Sequence, residues 1–247
     1  MGRVGYREKR RADLVTEADT LAQETIFKIV KRDFPTHSFL GEEMKGASSD
    51  SFLGNADEFC WVVDPLDGTT NFVHSVPFFC TSVALVRGSE PICGVVYNPI
   101  TEEFFSAEVG KGAFLNGERI KVSEIQKPEE SLVAVGFPTD TKSDSPDLIA
   151  FLCAVPIAQA IRRTGSTALN LAYVAAGRFD AMWGFSANPW DVAAGILIVK
   201  EAGGIITSPQ GTEFSLRSPR FITASTPTLL NNWVAIISRE SRSEHEA

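Results

Sequence analysis

The spacing of apolar residues in the first third of the chain predicts a helix and then a buried strand. Thr16-Glu-Ala-Asp19 has the form of a helix capping box, with Asp in the usual Glu position. Phe34-Pro35 should end this helix, because a residue before proline disfavours the helical backbone. Phe59–Val63 is a short apolar run that stops at Asp64-Pro65, which is typical of a buried strand. Apolar residues recur at helical intervals after the capping box, at Leu21, Ala22, Ile26, Ile29 and Val30.

The middle of the chain has the pattern of an antiparallel sheet. Short apolar segments follow one another at small intervals, separated by Gly, Pro and Asn. Asn116-Gly117 has the composition preferred in two-residue hairpin turns. The strands predicted here are Thr81–Arg87, Ile92–Tyr97, Glu103–Ala107 and Ala113–Leu115.

The second half mixes helices and strands without a regular strand–helix–strand repeat. Strands are predicted at Leu132–Gly136, Phe179–Trp183, Ile205–Ser208 and Phe221–Ala224. Helices are predicted at Ser145–Leu152, Ser166–Ala176, Asp191–Ala202 and Thr228–Ser238. We find no internal repeat or linker, so we expect a single α+β domain over residues 1–247, with a soft division near Lys127-Pro128.

Composition and charge narrow the class of protein. With 247 residues and 44% hydrophobic content, the chain can build one large core. A net charge of −8 argues against nucleic acid or an anionic membrane as a partner. No apolar run approaches the roughly 20 residues of a membrane helix, and no secretory signal is found, so we expect a cytoplasmic protein. A basic run is interpreted as a solvated terminus: Arg3, Arg7, Lys9, Arg10 and Arg11.

The cysteines and histidines do not indicate a zinc site. The cysteines have no metal-ligand spacing and are expected to be buried thiols in a reducing cytosol. They are Cys60, Cys80, Cys93 and Cys153. With only three histidines, a histidine-rich site is disfavoured, whereas oxygen ligands for a hard cation remain available.

An acidic segment follows the first predicted strand. It reads Asp64-Pro-Leu-Asp67-Gly-Thr-Thr-Asn-Phe72. Two carboxylates at the end of a strand can face one point, and Gly68 lets the backbone approach a ligand closely. Thr69 and Thr70 can begin a helix whose free N–H groups hold a phosphate. By itself the segment is also compatible with an ordinary turn and helix cap.

Two further acidic positions change this interpretation. Glu42 stands in a predicted loop that follows a helix, and Asp191 opens a predicted helix. Taken singly, the first is typical of a solvated loop and the second of a helix cap. Together with Asp64 and Asp67 they form a set that is costly to cluster, since two carboxylates at 4 Å repel by about 4 kcal/mol at an effective dielectric of 20. Divalent cations remove that repulsion, so the set predicts a metal site.

Three segments, in this order, resemble the inositol monophosphatase family: Gly41-Glu-Glu43, the Asp64–Phe72 segment and Trp190-Asp-Val-Ala-Ala-Gly195. The resemblance extends to Gly94-Val-Val-Tyr-Asn-Pro99, Gly110-Lys-Gly-Ala-Phe114 and Glu201-Ala-Gly-Gly204, and it covers nearly the whole chain. It implies a layered α/β/α/β/α sandwich of the type shared with fructose-1,6-bisphosphatase, and a homodimer. It also implies magnesium-dependent hydrolysis of a small phosphate monoester.

The resemblance assigns metal ligands residue by residue. It implies that Glu42, Asp64 and the Leu66 carbonyl hold one Mg²⁺. Asp64, Asp67 and Asp191 would hold a second, and Glu42 would help to position a third through water. No other residue is implied as a ligand.

The resemblance also assigns catalytic and substrate-binding positions. Thr69 would pair with Asp19 to orient and deprotonate the attacking water, while Asp13 would have a supporting role. Phosphate would be held by the backbone of Gly68 and Thr69. The remaining implied substrate contacts are Asp67, Gly165, Ser166 and Thr167.

Two departures from the family pattern limit what the resemblance implies. Family members carry a helix before the Asp-Leu-Val-Thr segment, and this sequence starts almost at that segment, through either a misassigned start or a missing helix. Inositol-binding members also carry a glutamate about seven residues before the Trp-Asp aspartate. Here Met182–Trp190 contains no carboxylate. A sugar or polyol phosphate is therefore the leading class rather than inositol specifically.

Other functions of the same superfamily stay open. They are hydrolysis of histidinol phosphate, fructose 1,6-bisphosphate or nucleotide phosphates. A different class is a non-catalytic regulator that binds metal or phosphate. The presence of both Thr69 and Asp19 argues against it, because binding alone does not require a pair that activates water.

Overall fold

The structure, a computed structural model, describes residues 5–10, 13–44, 57–138 and 140–243. A hairpin comes first, in which strand β1 (Tyr6–Arg10) pairs antiparallel with strand β2 (Asp13–Thr16). Helix α1 (Glu17–Asp33) follows. The Thr16 hydroxyl accepts the Ala18 N–H at 3.1 Å, and Asp19 accepts the Thr16 N–H at 2.8 Å. The predicted capping box and the predicted helix end are thus confirmed.

Seven strands between residues 38 and 120 form the larger sheet, side by side in chain order. They are β3 (Ser38–Gly41), β4 (Phe59–Asp67), β5 (Cys80–Arg87), β6 (Glu90–Asn98), β7 (Glu103–Glu108), β8 (Gly112–Leu115) and β9 (Glu118–Ile120). Strands β4 to β9 pair antiparallel, as predicted for the middle of the chain. Strand β3 adds a parallel edge beside β4. The short helix α2 (Thr69–Val73) follows β4 in sequence.

The second half builds a mixed five-stranded sheet and four helices. The strands are β10 (Leu132–Val135), β11 (Ala160–Arg162), β12 (Ala181–Gly184), β13 (Ile205–Thr207) and β14 (Phe221–Ala224), in the order β11-β10-β12-β14-β13. Strand β10 is parallel to β11 and β12, and β14 is antiparallel to its two neighbours. The helices are α3 (Pro146–Ala154), α4 (Thr167–Ala175), α5 (Pro189–Glu201) and α6 (Pro227–Ser243).

Helices α4 and α5 form the central layer between the two sheets. Helix α5 packs on β4 to β8 and on α4, and α4 reaches β12 of the smaller sheet. A Cβ at Gly195 would lie 2.6 Å from the Cβ of Leu171, so the two helices approach this closely because position 195 is glycine. Helix α1 packs on β4, and α3 packs against α6, which lies on β14. The predicted α/β/α/β/α sandwich is confirmed.

Glu201 links two of the family motifs, Gly110-Lys-Gly-Ala-Phe114 and Glu201-Ala-Gly-Gly204, through structural hydrogen bonds. Its carboxylate accepts the N–H of Gly110 at 2.9 Å and the N–H of Gly112 at 2.7 Å. Both glycines have positive φ, at 75° and 90°. The end of α5 thus holds the turn between β7 and β8.

Several sequence predictions are corrected by the structure. Strand β4 runs to Asp67, four residues beyond its predicted end, and α5 begins at Pro189 rather than Asp191. Strands β1, β2, β3, β9 and β11 were not predicted. Much of the basic run therefore lies in β1 rather than in a tail. Cys93 is exposed and Cys153 only partly buried, whereas Cys60 and Cys80 are buried as predicted.

Candidate active site

An irregularity at the end of β4 brings two carboxylates to the same side of the sheet. In a regular strand, residues three apart point to opposite faces. Here Asp64 pairs with Ser82 and Asp67 pairs with Cys80. Three residue steps along β4 thus correspond to two along β5, so β4 contains a bulge of one extra residue. Both carboxylates consequently face one cavity. Asp64 is 2% exposed, and its Oδ1 accepts the Leu66 N–H at 3.0 Å.

Two other elements bring acidic side chains to the same cavity. Glu42 directly follows β3, and its N–H donates to the Val63 carbonyl of β4 at 3.1 Å. Its position thus comes from parallel strand pairing, whereas the sequence predicted a loop after a helix. Asp191 is the third residue of α5, where its Oδ2 accepts the Asn188 N–H at 2.7 Å. This carboxylate caps the helix and lines the cavity at once.

The cavity has a volume of about 650 Å³ and includes nearly all the predicted site residues. Those that line it are Glu42, Asp64, Leu66, Asp67, Gly68, Thr69, Gly165, Ser166, Thr167 and Asp191. Asp19 lies behind Thr69 and does not line it. Asp13 is described only as part of β2. The part of the predicted loop that follows Glu42 lies from residue 45 to residue 56 outside the described residues.

Burial raises the pKa of three acidic side chains at this cavity, and neighbouring carboxylates raise the pKa of two of them further. Burial raises the pKa of Asp64 well above its usual range, and the charges of Glu42, Asp67 and Asp191 raise it further. Burial and the charges of Glu42 and Asp67 likewise raise the pKa of Asp191. Burial raises the pKa of Asp67 to about 6, against hydrogen bonds from Ser166 and from the first turn of α4. Four acidic side chains are thus concentrated around one cavity.

This set of donors fits a hard divalent cation. Carboxylate and carbonyl oxygens are the ligands that Mg²⁺ prefers, and it usually keeps several waters. A magnesium ion therefore does not need protein ligands at every coordination position. In the part of the chain that the structure describes, no group of three or more His, Cys, Asp or Glu side chains is close enough together to hold a metal ion by itself. Mutual repulsion of the carboxylates is a sufficient physical reason for that separation.

Thr69 and Asp19 meet at the edge of the cavity. The Thr69 hydroxyl lies 3.0 Å from Oδ1 of Asp19 and 3.0 Å from the Leu66 carbonyl oxygen, and its single proton can serve one of them at a time. Asp19 is 1% exposed. Its other oxygen, Oδ2, accepts the N–H of Thr16 at 2.8 Å and the Thr16 hydroxyl at 2.5 Å. The capping box of α1 therefore fixes the carboxylate that Thr69 faces.

Gly68 makes the turn between β4 and α2. Its φ is 99°, a left-handed conformation that favours glycine. A Cβ there would also lie 3.1 Å from the Phe78 carbonyl oxygen and 3.1 Å from the Phe79 Cβ. Glycine is needed at this position for conformation and for space, which places the N–H groups after β4 at the cavity.

The start of α4 forms the wall beside Asp67. Oδ2 of Asp67 accepts the Ser166 hydroxyl at 2.7 Å and the Ala168 N–H at 2.6 Å. Asn71 joins this wall to α2, because its Nδ2 donates to the carbonyls of Thr164 at 2.8 Å and Phe78 at 2.7 Å. Ser166 lines the cavity as predicted for a substrate contact, but its hydroxyl bonds to Asp67.

The part of the cavity lining formed by residues 184–188 carries no acid. Residues 184 and 186–188 line the cavity there, and they read Gly, Ser, Ala and Asn. Asp147, buried on α3, holds this wall by accepting the Phe185 N–H and the Ser186 hydroxyl, each at 2.7 Å.

Sequence reasoning missed the structural roles of Asn71 and Asp147 and the presence of Arg163 at the cavity. Arg163 lies 5.4 Å from the ring centroid of Phe137, which also lines the cavity. The Asn71–Thr164 contact joins residues 93 positions apart, and the Asp147–Phe185 contact joins residues 38 apart. No local pattern signals such contacts.

Comparison with known proteins gives consistent matches. A family model described as the inositol monophosphatase family matches residues 3–242. Inositol monophosphatase 2 of Solanum lycopersicum is 46% identical over 211 residues, covering 84% of this chain and 79% of the relative. Nus factor SuhB of Pseudomonas aeruginosa is 41% identical over 229 residues, covering 90% of this chain and 82% of the relative. A solved IMPase structure from Thermotoga maritima is 38% identical with a TM-score of 0.84, covering 100% of this chain and 91% of that one.

Proposed function

The chain belongs to the inositol monophosphatase family, and we propose that it hydrolyses a small phosphate monoester, with magnesium as its cofactor. Relatives and structural neighbours named inositol monophosphatases support assignment as a phosphoric monoester hydrolase. The observation that carries the proposal is the placement of four acidic side chains and the Thr69–Asp19 pair around one cavity.

The chain offers two overlapping sets of oxygen ligands. Glu42, Asp64 and the Leu66 carbonyl would hold one Mg²⁺, and Asp64, Asp67 and Asp191 a second. Magnesium, when bound, supplies positive charge that lowers the pKa of nearby water and neutralises charge on the phosphate. The raised pKa values of Asp64 and Asp191 support this assignment, because a cation offsets the repulsion that causes part of each shift.

Thr69 and Asp19 would activate the attacking water. With its own proton directed to Asp19, the Thr69 oxygen can accept a proton from water as that water attacks phosphorus. The Thr69 proton then moves to Asp19, whose Oδ1 is the oxygen that faces Thr69. Glu42 would assist by helping to position a third Mg²⁺ through water. The N–H groups of Gly68 and Thr69 would hold the phosphate oxygens, since both residues line the cavity.

The substrate is proposed to be a sugar or polyol phosphate without strong preference for inositol. Gly165 and Thr167 would contact its ring, because both line the cavity beside Asp67. The wall around Gly184 offers no carboxylate to accept hydrogen bonds from ring hydroxyls before Asp191. Asp140 and Arg163 also line the cavity, so any preference has to come from these two residues, from shape and from weaker polar contacts rather than from an acid at position 184.

A phosphate-release screen tests the function directly. Purified protein with magnesium is given inositol, sugar, polyol, histidinol and nucleotide monophosphates, and fructose 1,6-bisphosphate. We expect release from several sugar or polyol phosphates, and Thr69→Ala should slow that release by about 10² or more. Exclusive cleavage of histidinol or nucleotide phosphate would move the assignment to another branch of the superfamily. No release from any compound, with retained magnesium binding, would favour the non-catalytic class.

We also propose a cytoplasmic homodimer. In the described ranges, no helix is long and apolar enough to cross a membrane. The dimer rests on the family resemblance and is tested by light scattering of the purified protein after size exclusion. A single species of about twice 26.8 kDa is expected.

A further inference from the structure

Ser166 places its hydroxyl against one oxygen of Asp67. Ser166 Oγ lies 2.7 Å from Asp67 Oδ2, and the Ala168 N–H donates to the same oxygen at 2.6 Å. Ser166 is 2% exposed. The contacts from Ser166, Ala168 and Cys80 to Asp67 all end on Oδ2. The two donors thus occupy the oxygen that faces α4 and leave the other one for the cavity.

The direction of the Ser166 proton follows from the helix cap. Ser166 is the N-cap of α4, where its Oγ accepts the Leu169 N–H at 3.3 Å. A serine hydroxyl has one proton. Because Oγ acts as an acceptor toward the helix, its proton is available for Asp67. Cys80 Sγ lies 3.5 Å from Ser166 Oγ and 4.0 Å from Asp67 Oδ2, so the thiol makes a weak contact with both side chains.

The segment that carries Ser166 is held from both sides. Asn71 Nδ2 donates to the Thr164 carbonyl at 2.8 Å, and the Thr164 hydroxyl donates to Asn170 Oδ1 at 2.6 Å. Gly165 has a φ of 94°, which turns the chain sharply before Ser166. A Cβ at Gly165 would lie 2.9 Å from Asn71 Nδ2, so the contact with Asn71 requires glycine. Ser166 is therefore a fixed donor rather than an adjustable one.

We propose that Ser166 is a positioning residue, which orients Asp67 so that Oδ1 faces the site shared with Asp64 and Asp191. The inference rests on the proposed function, in which Asp67 is a magnesium ligand. Three neighbouring carboxylates repel, and an unrestrained Asp67 lowers that repulsion by rotating away. The Ser166 hydroxyl opposes this rotation. Hydrogen bonds of this kind behind a metal ligand contribute about 10- to 100-fold to metal affinity.

The test compares Ser166→Ala and Ser166→Thr with a matched cap variant, Thr226→Ala. Thr226 precedes α6 and accepts the Leu229 N–H at 3.2 Å, away from the cavity. Magnesium dissociation constants are measured by calorimetry on the full chain, and thermal melts without magnesium report the loss of each cap. We expect Ser166→Ala to weaken magnesium binding at least tenfold. Ser166→Thr keeps the hydroxyl and should stay within threefold of wild type, and Thr226→Ala should lose stability but keep wild-type affinity.

Equal magnesium affinity in Ser166→Ala and wild type would overturn the inference. So would equal weakening in Ser166→Ala and Ser166→Thr, because the effect would then not depend on the hydroxyl. Weakening by Thr226→Ala to the same degree would show that lost stability alone accounts for it. These outcomes differ from a failure of the proposed function, in which wild type itself binds no magnesium and releases no phosphate.

Discussion

The Thr69 hydroxyl lies 3.0 Å from Oδ1 of Asp19, although 50 positions separate the two residues in sequence. The contact joins the first turn of α1 to the first residue of α2. The Asp19 carboxylate therefore has two roles: it accepts a hydrogen bond in the capping box of α1, and it is the partner of the proposed water-activating hydroxyl of Thr69.

The first prediction concerns this pair. Thr69→Ala should lower turnover by about 10² or more and leave magnesium affinity largely intact, because it removes the orientation of water and no metal ligand. Phosphate-release kinetics and magnesium titration are the measurements. Comparable loss of both quantities would mean that Thr69 holds the loop together instead.

A double-mutant cycle extends that prediction. If Thr69 and Asp19 act as one unit, Thr69→Ala combined with Asp19→Asn should be little slower than either single variant. Fully multiplicative losses in turnover would show that the two residues act independently.

The second prediction is metal dependence. Because the cavity collects four acidic side chains, hydrolysis should require magnesium and disappear when a chelator is in excess. The family resemblance further implies inhibition by lithium at elevated magnesium. The rate is measured across a magnesium titration, with readdition of the metal after chelation as the control. Undiminished hydrolysis in excess EDTA would contradict the metal mechanism.

The third prediction concerns specificity. Because the wall at Gly184 has no carboxylate, myo-inositol 1-phosphate should be preferred less than a hundredfold over other small sugar or polyol phosphates, measured as kcat/KM. A larger preference would show that another residue reads the ring hydroxyls.

A substitution at the same position sharpens the comparison. Gly184→Glu should raise the preference for inositol 1-phosphate, while Gly184→Ala controls for the added Cβ. That Cβ would lie 3.0 Å from Phe221 Cε1, so both variants require a small shift of the ring. An equal change of preference in both would assign the effect to packing.

The fourth prediction links metal to stability. Magnesium binds the folded site and hardly the unfolded chain, so 100 times its dissociation constant should stabilise the fold by about 2.7 kcal/mol. Asp191→Asn should lose much of that gain. Without magnesium it should be no less stable than wild type, because one of the repelling charges is gone.

Thermal melts of wild type and Asp191→Asn, each with and without magnesium, measure the effect. Asp191 also accepts the Asn188 N–H in the cap of α5, so Asp191→Asn can lower stability by weakening this cap, and that effect needs a control. Asn188→Ala reports the contribution of the cap side chain without removing the charge. No magnesium-dependent rise in the wild-type melting temperature would exclude a metal-neutralised acidic cluster.

Local patterns determined most of the elements and the chemistry of the proposed site. The capping box at Thr16, the strand before Asp64 and the hairpin at Asn116-Gly117 depend on neighbouring residues, and they appear where predicted. The motifs at Asp64 and Asp191 lie on elements that local patterns predicted, whereas the strand before Glu42 was not predicted, and all three motifs line the cavity.

Tertiary structure alone decided how those residues meet. The extra residue in β4 turns Asp64 and Asp67 to one side, and the parallel pairing of β3 brings Glu42 beside them. Ser166 reaches Asp67 across 99 positions, so the sequence could only suggest a substrate contact for it. Such contacts depend on strand register and on the packing of α4 against the sheet. Those are properties of the whole fold, and the residues concerned carry no local pattern that encodes them.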